Sequence, residues 1–192
     1  VSRDAAALSV GADRTAAAIA DHARRLGLDL TLVRTGTRGM LWLEPLVEVE
    51  TPVGRVAYGP VTPADVESLF AAGFQDGVAH PLGHGPTEQM PWMARQQRLS
   101  FARVGVVDPL SLDDYIAHGG MAGLARARTL SADDVLQEVV NSGLRGRGGA
   151  GFPTGIKWRT VAQAPGPRKY IVCNADEGDS GTFADRMLIE GD

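Results

Sequence analysis

Two stretches of the sequence hold residue types and spacings suited to chemistry. The first runs Leu-Arg-Gly-Arg-Gly-Gly-Ala-Gly-Phe-Pro-Thr-Gly, from Leu144 to Gly155, with Lys157 just beyond. It places five glycines between Gly146 and Gly155, around Arg147. Glycine admits positive φ and lets a ligand approach the backbone with no Cβ in the way. Consecutive exposed N–H groups then form a concave anion site, to which Arg147 and Lys157 add full positive charge. The second stretch, Asn-Ala-Asp-Glu-Gly-Asp-Ser-Gly-Thr from Asn174 to Thr182, brings one amide and the carboxylates of Asp176, Glu177 and Asp179. Carboxylates accept hydrogen bonds from sugar and ribityl hydroxyls and suit phosphate oxygens poorly. A phosphate cradle followed by a hydroxyl-binding acidic turn is the chemistry of a nucleotide or dinucleotide site.

Composition narrows the field. With 19 basic and 23 acidic residues, the chain has no dominant positive field of the kind that favours nucleic acid. A single cysteine, Cys173, excludes a disulfide framework and any all-cysteine metal or iron–sulfur site within these residues. No apolar run is long enough to span a bilayer, and no basic-then-apolar leader opens the sequence, so no membrane role and a cytoplasmic location are expected. The sequence ends on Glu190-Gly191-Asp192, just after a helix start, and reads as a truncated piece of a longer protein.

The elements that must position the two stretches follow from periodicity. The spacing predicts a short strand over Ala7 to Val10, then a helix capped by Asp13 with Ile19, Ala23 and Leu26 on one face, closed by Gly27. Leu28, Leu30 and Leu32 alternate as in a strand, and Leu46 to Glu50 and Gly54 to Tyr58 form a hairpin. Thr62, Pro63 and Asp65 open a helix that buries Val66, Leu69 and Phe70 and ends at Gly73. Residues 77–98 read as a linker arm, with Trp92 and Met93 pinning it to a neighbour. Phe101 to Val107 is a strand candidate, and short helices are expected over Leu112 to Ile116 and Met121 to Arg128. Ser131 caps a helix with Val135, Leu136, Val139 and Val140 inward, ended by Gly143. A further helix is expected around Trp158 to Ala162, a turn at Pro165-Gly166-Pro167, a strand over Tyr170 to Cys173 and a helix from Phe183.

Other readings of the same residues carry less. Gly146-x-Gly148-x-x-Gly151 matches the dinucleotide fingerprint, but a helix precedes it and Phe152-Pro153 interrupts any immediate helix, so an ordinary Rossmann turn is excluded. A kinase-type loop fails for want of flanking strands. His80 and His84 have metal-ligand spacing only on a helix, which the surrounding prolines and glycines oppose. Cys173 reads as a buried small hydrophobe, and Trp42, Trp92 and Trp158 as packing residues.

Gly143 to Trp158 and Asn174 to Arg186, two long motifs in order, resemble the NADH-oxidising flavoprotein subunits of respiratory complex I, NAD-linked hydrogenases and NAD-linked formate dehydrogenases. Within that family, the wording at 80–85, 107–115 and 185–192 most resembles the β subunit of soluble, molybdenum-dependent NAD-linked formate dehydrogenase. The resemblance implies an α/β fold: an N-terminal thioredoxin-like domain over 1–76, the arm over 77–98, and over 99–192 the first part of a Rossmann-like α/β FMN-binding domain. It implies a diaphorase subunit passing a hydride between NAD(H) and FMN. Gly146, Arg147, Gly148, Lys157, Asn174, Asp176 and Glu177 would line FMN. Gly149, Ala150, Phe152, Lys157 and Asp179 would face NAD, with Phe152 on the adenine; Gly151, Gly155 and Gly178 belong to the same binding loops. Asp179 stands where complex I commonly has glutamate, one methylene longer. No catalytic group beyond cofactor positioning is implied, and no metal site in this chain.

The partners implied are an iron–sulfur γ-type subunit with a [2Fe-2S] cluster and a large molybdenum-containing α subunit, with a [4Fe-4S] cluster in the missing C-terminal part. The resembling thioredoxin-like domain elsewhere carries cluster cysteines. Here Thr35-Gly36-Thr37-Arg38-Gly39-Met40-Leu41 stands in that place, so the domain is expected to dock and to bind no cluster. A complex I or hydrogenase flavoprotein is the alternative within the family, and a non-catalytic docking module the alternative outside it.

Overall fold

A computed structural model describes residues 1–192. The chain divides into two compact units, Val1–His118 together with Asp176–Asp192, and Gly119–Ala175. Helices and one small three-stranded antiparallel sheet make up the fold, a mixed composition consistent with an α/β class.

The first unit opens with α1 (Ala5–Ser9), where a strand is expected over Ala7 to Val10. The Asp4 carboxylate accepts from the N–H groups of Ala6 and Ala7 at 2.9 and 3.2 Å, and an alanine run after such a cap favours helix. Gly11, at φ +97°, then turns the chain into α2 (Ala12–Arg25). The cap of α2 is thus Gly11 and not Asp13, which sits in the first turn and pairs with Arg34 at 2.8 Å. The helix ends as expected at Gly27 (φ +66°), with Leu28 N–H reaching back to the Ala23 carbonyl.

The expected hairpin is present as β1 (Val47–Thr51) and β2 (Gly54–Tyr58), paired from Val47↔Tyr58 to Thr51↔Gly54. Alternation along β2 sends Val56 and Tyr58 to one face and Ala57 to the other. The first face, with Val47, meets Ile19, Ala23, Val61, Val66, Leu69, Phe70 and Phe74. The second packs Ala57 against Met40, Leu43, Leu46, Met90 and Met93. Helix α3 (Val66–Ala72) follows Thr62, whose capping box with Asp65 forms as its sequence predicts, and stops at Gly73 (φ +81°).

Residues 77–98 are not a structureless arm. They supply β3 (Gly83–Pro86), which pairs with β2 to complete the order β1-β2-β3, and the short α4 (Pro91–Ala94). Glycines and prolines hide this strand in the sequence, yet Tyr58 holds the stretch by donating from its hydroxyl to the Val78 carbonyl at 2.7 Å. Met93 joins the second core cluster, while Trp92 stays half exposed, edge-on to Trp42 at 5.3 Å. The His80 ring engages Ser68 and Leu82, and His84 lies 2.8 Å from the Gly59 carbonyl, so neighbours within the fold occupy both imidazoles.

Two further strand expectations fail for one reason, the lack of a partner ladder. Leu30 and Leu32 lean on the core, but their segment faces β1 across a groove of about 530 Å³. Only Thr35 forms a bridge, to Ser2. Phe101 to Val107 is a series of turns with Val104 and Val107 fully buried. Arginines hold it: Arg98 donates to the carbonyls of Arg38, Phe101 and Val104, and Arg55 to those of Gly105 and Val106. Arg38 is itself buried, between Glu48 at 3.1 Å and Glu88 at 3.3 Å. α5 (Leu112–Ala117), capped by Ser111, completes this run.

The second unit contains α6 (Ala122–Ala127), α7 (Ala132–Asn141) and α8 (Thr154–Gln163). Ser131 caps α7 by accepting from Asp134 N–H at 3.1 Å, and Gly143 follows its end at φ +66°. Tyr170 to Cys173 does not form a strand: Ile171 and Val172 are exposed, and Cys173 is an exposed free thiol, not a buried one. The segment joins no ladder of the β1-β2-β3 sheet. The chain's last helix, α9 (Ala184–Gly191), belongs to the first unit. No helix is long and apolar enough to cross a membrane.

Candidate functional site

The glycine stretch forms a hairpin-like loop joining α7 to α8. Arg145 and Pro153 make an antiparallel bridge, with Gly146 N–H donating to Phe152 O at 2.8 Å and Thr154 N–H to Leu144 O at 2.9 Å. Arg147, Gly148, Gly149 and Ala150 are the exposed tip. Gly149 (φ +108°) and Gly151 (φ +63°) hold the left-handed geometry that side chains resist, and Arg145 steadies the return by donating to the Gly151 carbonyl at 2.9 Å. Arg145 does not stand out in the sequence, since a carbonyl clamp leaves no motif.

The glycines differ in what they are for. A Cβ on Gly155 would sit 2.6 Å from Val140 Cγ2, so its missing side chain is explained by α8 packing on α7. A Cβ on Gly148 would meet nothing within 4 Å, and Gly148 lacks a positive φ. Nothing inside the chain demands glycine at 148, and a bare backbone there suits a flat ligand. Lys157, in the first turn of α8, closes over the loop, its Nζ 6.0 Å from the Phe152 ring centre and 3.2 Å from where a Gly146 Cβ would be. The N-terminal turn of α8 follows the loop directly, so helix dipole and ammonium both favour an anion here. The structure thus brings together Gly146, Arg147, Gly148, Gly149, Ala150, Gly151, Phe152 and Lys157 in one loop, with Gly155 behind it.

Asp176, Glu177 and Asp179 fall in the chain's other unit, whereas Asn174, an exposed residue, belongs to the second. Asp176 and Gly178 crowd each other: a Cβ on Gly178 would lie 2.7 Å from Asp176 Oδ2. Glu177 is the non-glycine residue at positive φ, +48°. Its carboxylate accepts from Asp185 N–H at 2.7 Å and Arg186 N–H at 3.0 Å, the opening N–H groups of α9. Asp179 stays exposed, and its carbonyl takes the Thr182 N–H. The reach of Glu177 across the turn to α9 is not legible in the sequence, because its partners lie eight and nine positions on, outside any capping pattern.

Each unit, taken by itself, carries groups that suit part of a nucleotide: the glycine loop in one, the acidic turn in the other. An open glycine floor, a cationic side chain at its rim and a helix start suit phosphate and a planar ring. Exposed carboxylates suit hydroxyls.

Comparison with known proteins agrees with this chemistry. Residues 139–192, which span both motifs, match a family model described as the Nuo51 FMN-binding domain. The NADP-reducing hydrogenase subunit HndC of Solidesulfovibrio fructosivorans is 52% identical over 98 residues, 51% of this chain and 20% of the relative. A subunit of the NADH-quinone oxidoreductase of Aquifex aeolicus is 52% identical over 82 residues, 43% of this chain and 19% of the relative. The alpha subunit of the NAD-reducing hydrogenase HoxS of Cupriavidus necator is 55% identical over 60 residues, 31% of this chain and 10% of the relative. The chain spans about a fifth or less of the length of these relatives. Across residues 139–192, then, the chain is similar to an FMN-binding domain, and these relatives are subunits of NAD- and NADP-linked oxidoreductases.

Proposed function

We propose that this chain is part of a diaphorase subunit, an NAD-dependent oxidoreductase that passes a hydride between NAD(H) and FMN within a multisubunit complex. FMN and NAD are the cofactors that the family match and the relatives support. When bound, FMN exchanges a hydride with a nicotinamide and single electrons with iron–sulfur centres. The chain's own residues position; none is asked to move a proton. Gly146, Gly148 and Gly149 leave the backbone bare for a ring. Arg147 and Lys157 balance phosphate charge. Asn174 and Asp176 serve the flavin's hydroxyl side, Glu177 shapes the turn that carries Asp176, and Asp179 and Phe152 serve the dinucleotide. Holding two rings in contact is itself a large share of such a rate.

The single observation that carries the site is Gly148, a glycine that neither backbone strain nor packing explains. We place the module in an NAD-dependent, molybdenum-containing formate dehydrogenase, cytoplasmic, with an iron–sulfur γ-type subunit and a large α subunit. Support for formate is the wording at 80–85, 107–115 and 185–192. The hydrogenase relatives favour a second reading, the same module serving hydrogen oxidation. A [4Fe-4S] cluster beyond these residues completes the electron path in either case. The test is purification of the full-length subunit with its partners. A flavin band near about 450 nm and NADH–dye reductase activity are expected, with a formate-oxidising large subunit co-purifying. A protein without flavin would reject the diaphorase and leave the docking module.

A further inference from the structure

Resting on the reading of the acidic turn as part of the cofactor site, we infer that α9 is a strut: Arg103, through its ion pair with Asp192, and Glu177 are positioning residues that set where Asp176 and Asp179 stand. Every contact involved lies within the first unit. At its near end, α9 follows Phe183, which offers no side-chain cap. Glu177 supplies one instead, accepting from Asp185 and Arg186 N–H with its two oxygens. That fastens Glu177, held at φ +48°, to the helix start, and Asp176 and Asp179 flank it in sequence. Both carboxylate oxygens of Glu177 being engaged, this side chain shapes the turn in place of reaching outward.

At its far end the same helix is clamped to the N-terminal residues. Arg103 forks onto Asp192, with Nε and a terminal nitrogen at 2.6 and 2.8 Å from the two oxygens. The Arg103 guanidinium also lies over the Tyr115 ring at 4.9 Å. Hydrogen bonding to Asp192 holds Arg103 protonated more firmly than usual. Glu190 accepts from Ala5 N–H at 2.8 Å. Gly191 is buried against Gly36, where a Cβ would fall 2.5 Å from the Gly191 Cα, and a Cβ on Gly39 would meet Met187 Cε at 3.3 Å. Between the clamps run eight residues, a rigid span of roughly 12 Å at the rise of an α-helix. A helix fixed at one end and capped by a turn at the other transmits its placement to that turn. The N-terminal residues therefore serve the site without touching a ligand.

The test uses the full-length protein with its partners. Arg103→Ala and Asp192→Asn are expected to raise KM for NADH on the order of tenfold, the scale of a small misplacement, at near-constant FMN content and Tm. Amide exchange at Asp185 and Arg186 is expected to quicken. Arg103→Lys is expected to restore most of both. A merely structural pair would lower activity in step with the folded fraction and leave KM alone; that outcome, or unchanged exchange at Asp185 and Arg186, overturns the strut. If the wild type holds no flavin, the site reading fails first, whereas an active wild type with an indifferent Arg103→Ala removes the strut alone.

Discussion

Gly148 and Gly155 stand seven positions apart in one loop and answer to different forces. Around Gly148 there is open space, so Gly148→Leu is expected to leave Tm nearly unchanged and abolish FMN retention, read as flavin per chain after gel filtration. At Gly155 the neighbour is Val140, with its Cα 2.9 Å from an added Cβ. Gly155→Leu should instead destabilise the α7–α8 packing by about 1–3 kcal/mol, the usual cost of overpacking, measured by denaturant unfolding. The glycines are readable from the sequence as a cradle, but which of them are bare and which are wedged is not, because that depends on a helix neighbour absent from the motif. Lys157 over Phe152 is legible as charge near the loop. Arg145 and Glu177 are not, since each acts through backbone groups that any sequence supplies.

Elements with a local cause are the ones the sequence discloses. The hairpin follows from alternation, α7 from Ser131, and α3 from Thr62, Pro63 and Asp65. Asp65 gives that last helix a pH dependence. Thr62 donates to its carboxylate from both hydroxyl and N–H, at 2.6 and 2.8 Å, which holds its pKa below the usual range. A carboxyl whose folded pKa is depressed adds stability above its unfolded pKa and loses it as pH falls through the folded one. Asp65→Ala is therefore expected to cost about 1 kcal/mol at pH 7, a difference that shrinks below about pH 4 in parallel melts of both proteins. Elements with a distant cause mislead. Leu28 to Val33, Phe101 to Val107 and Tyr170 to Cys173 all have the composition of strands, and a strand needs a neighbour that composition does not name. Residues 83–86 err the other way: a strand made of glycine, histidine and proline exists because the free edge of β2 recruits it.

At the scale of the molecule, arginine fills a place that sheets and apolar contacts fill elsewhere. Arg38, Arg55 and Arg98 knit the turns over 98–107 to the sheet through carbonyl oxygens and the half-buried carboxylate of Glu48. Burial and the nearby Arg38 push the Arg98 pKa downward, so its charge is retained against a desolvation cost. Arg98→Ala would take their side-chain donor from the carbonyls of Arg38 and Val104 together, and leave that of Phe101 with the Val104 N–H alone. The expected loss is on the order of 3 kcal/mol, with faster proteolysis at the 98–107 turns as a second measure. No such arrangement has a sequence period, which is why this stretch has the look of a strand until its partners are seen.

The open thiol of Cys173 gives the 192-residue chain a convenience no residue was selected to provide. A maleimide fluorophore would load at one place only, immediately before Asn174. Its emission would then report, titration by titration, on any chromophore that settles among the neighbouring amide and acids.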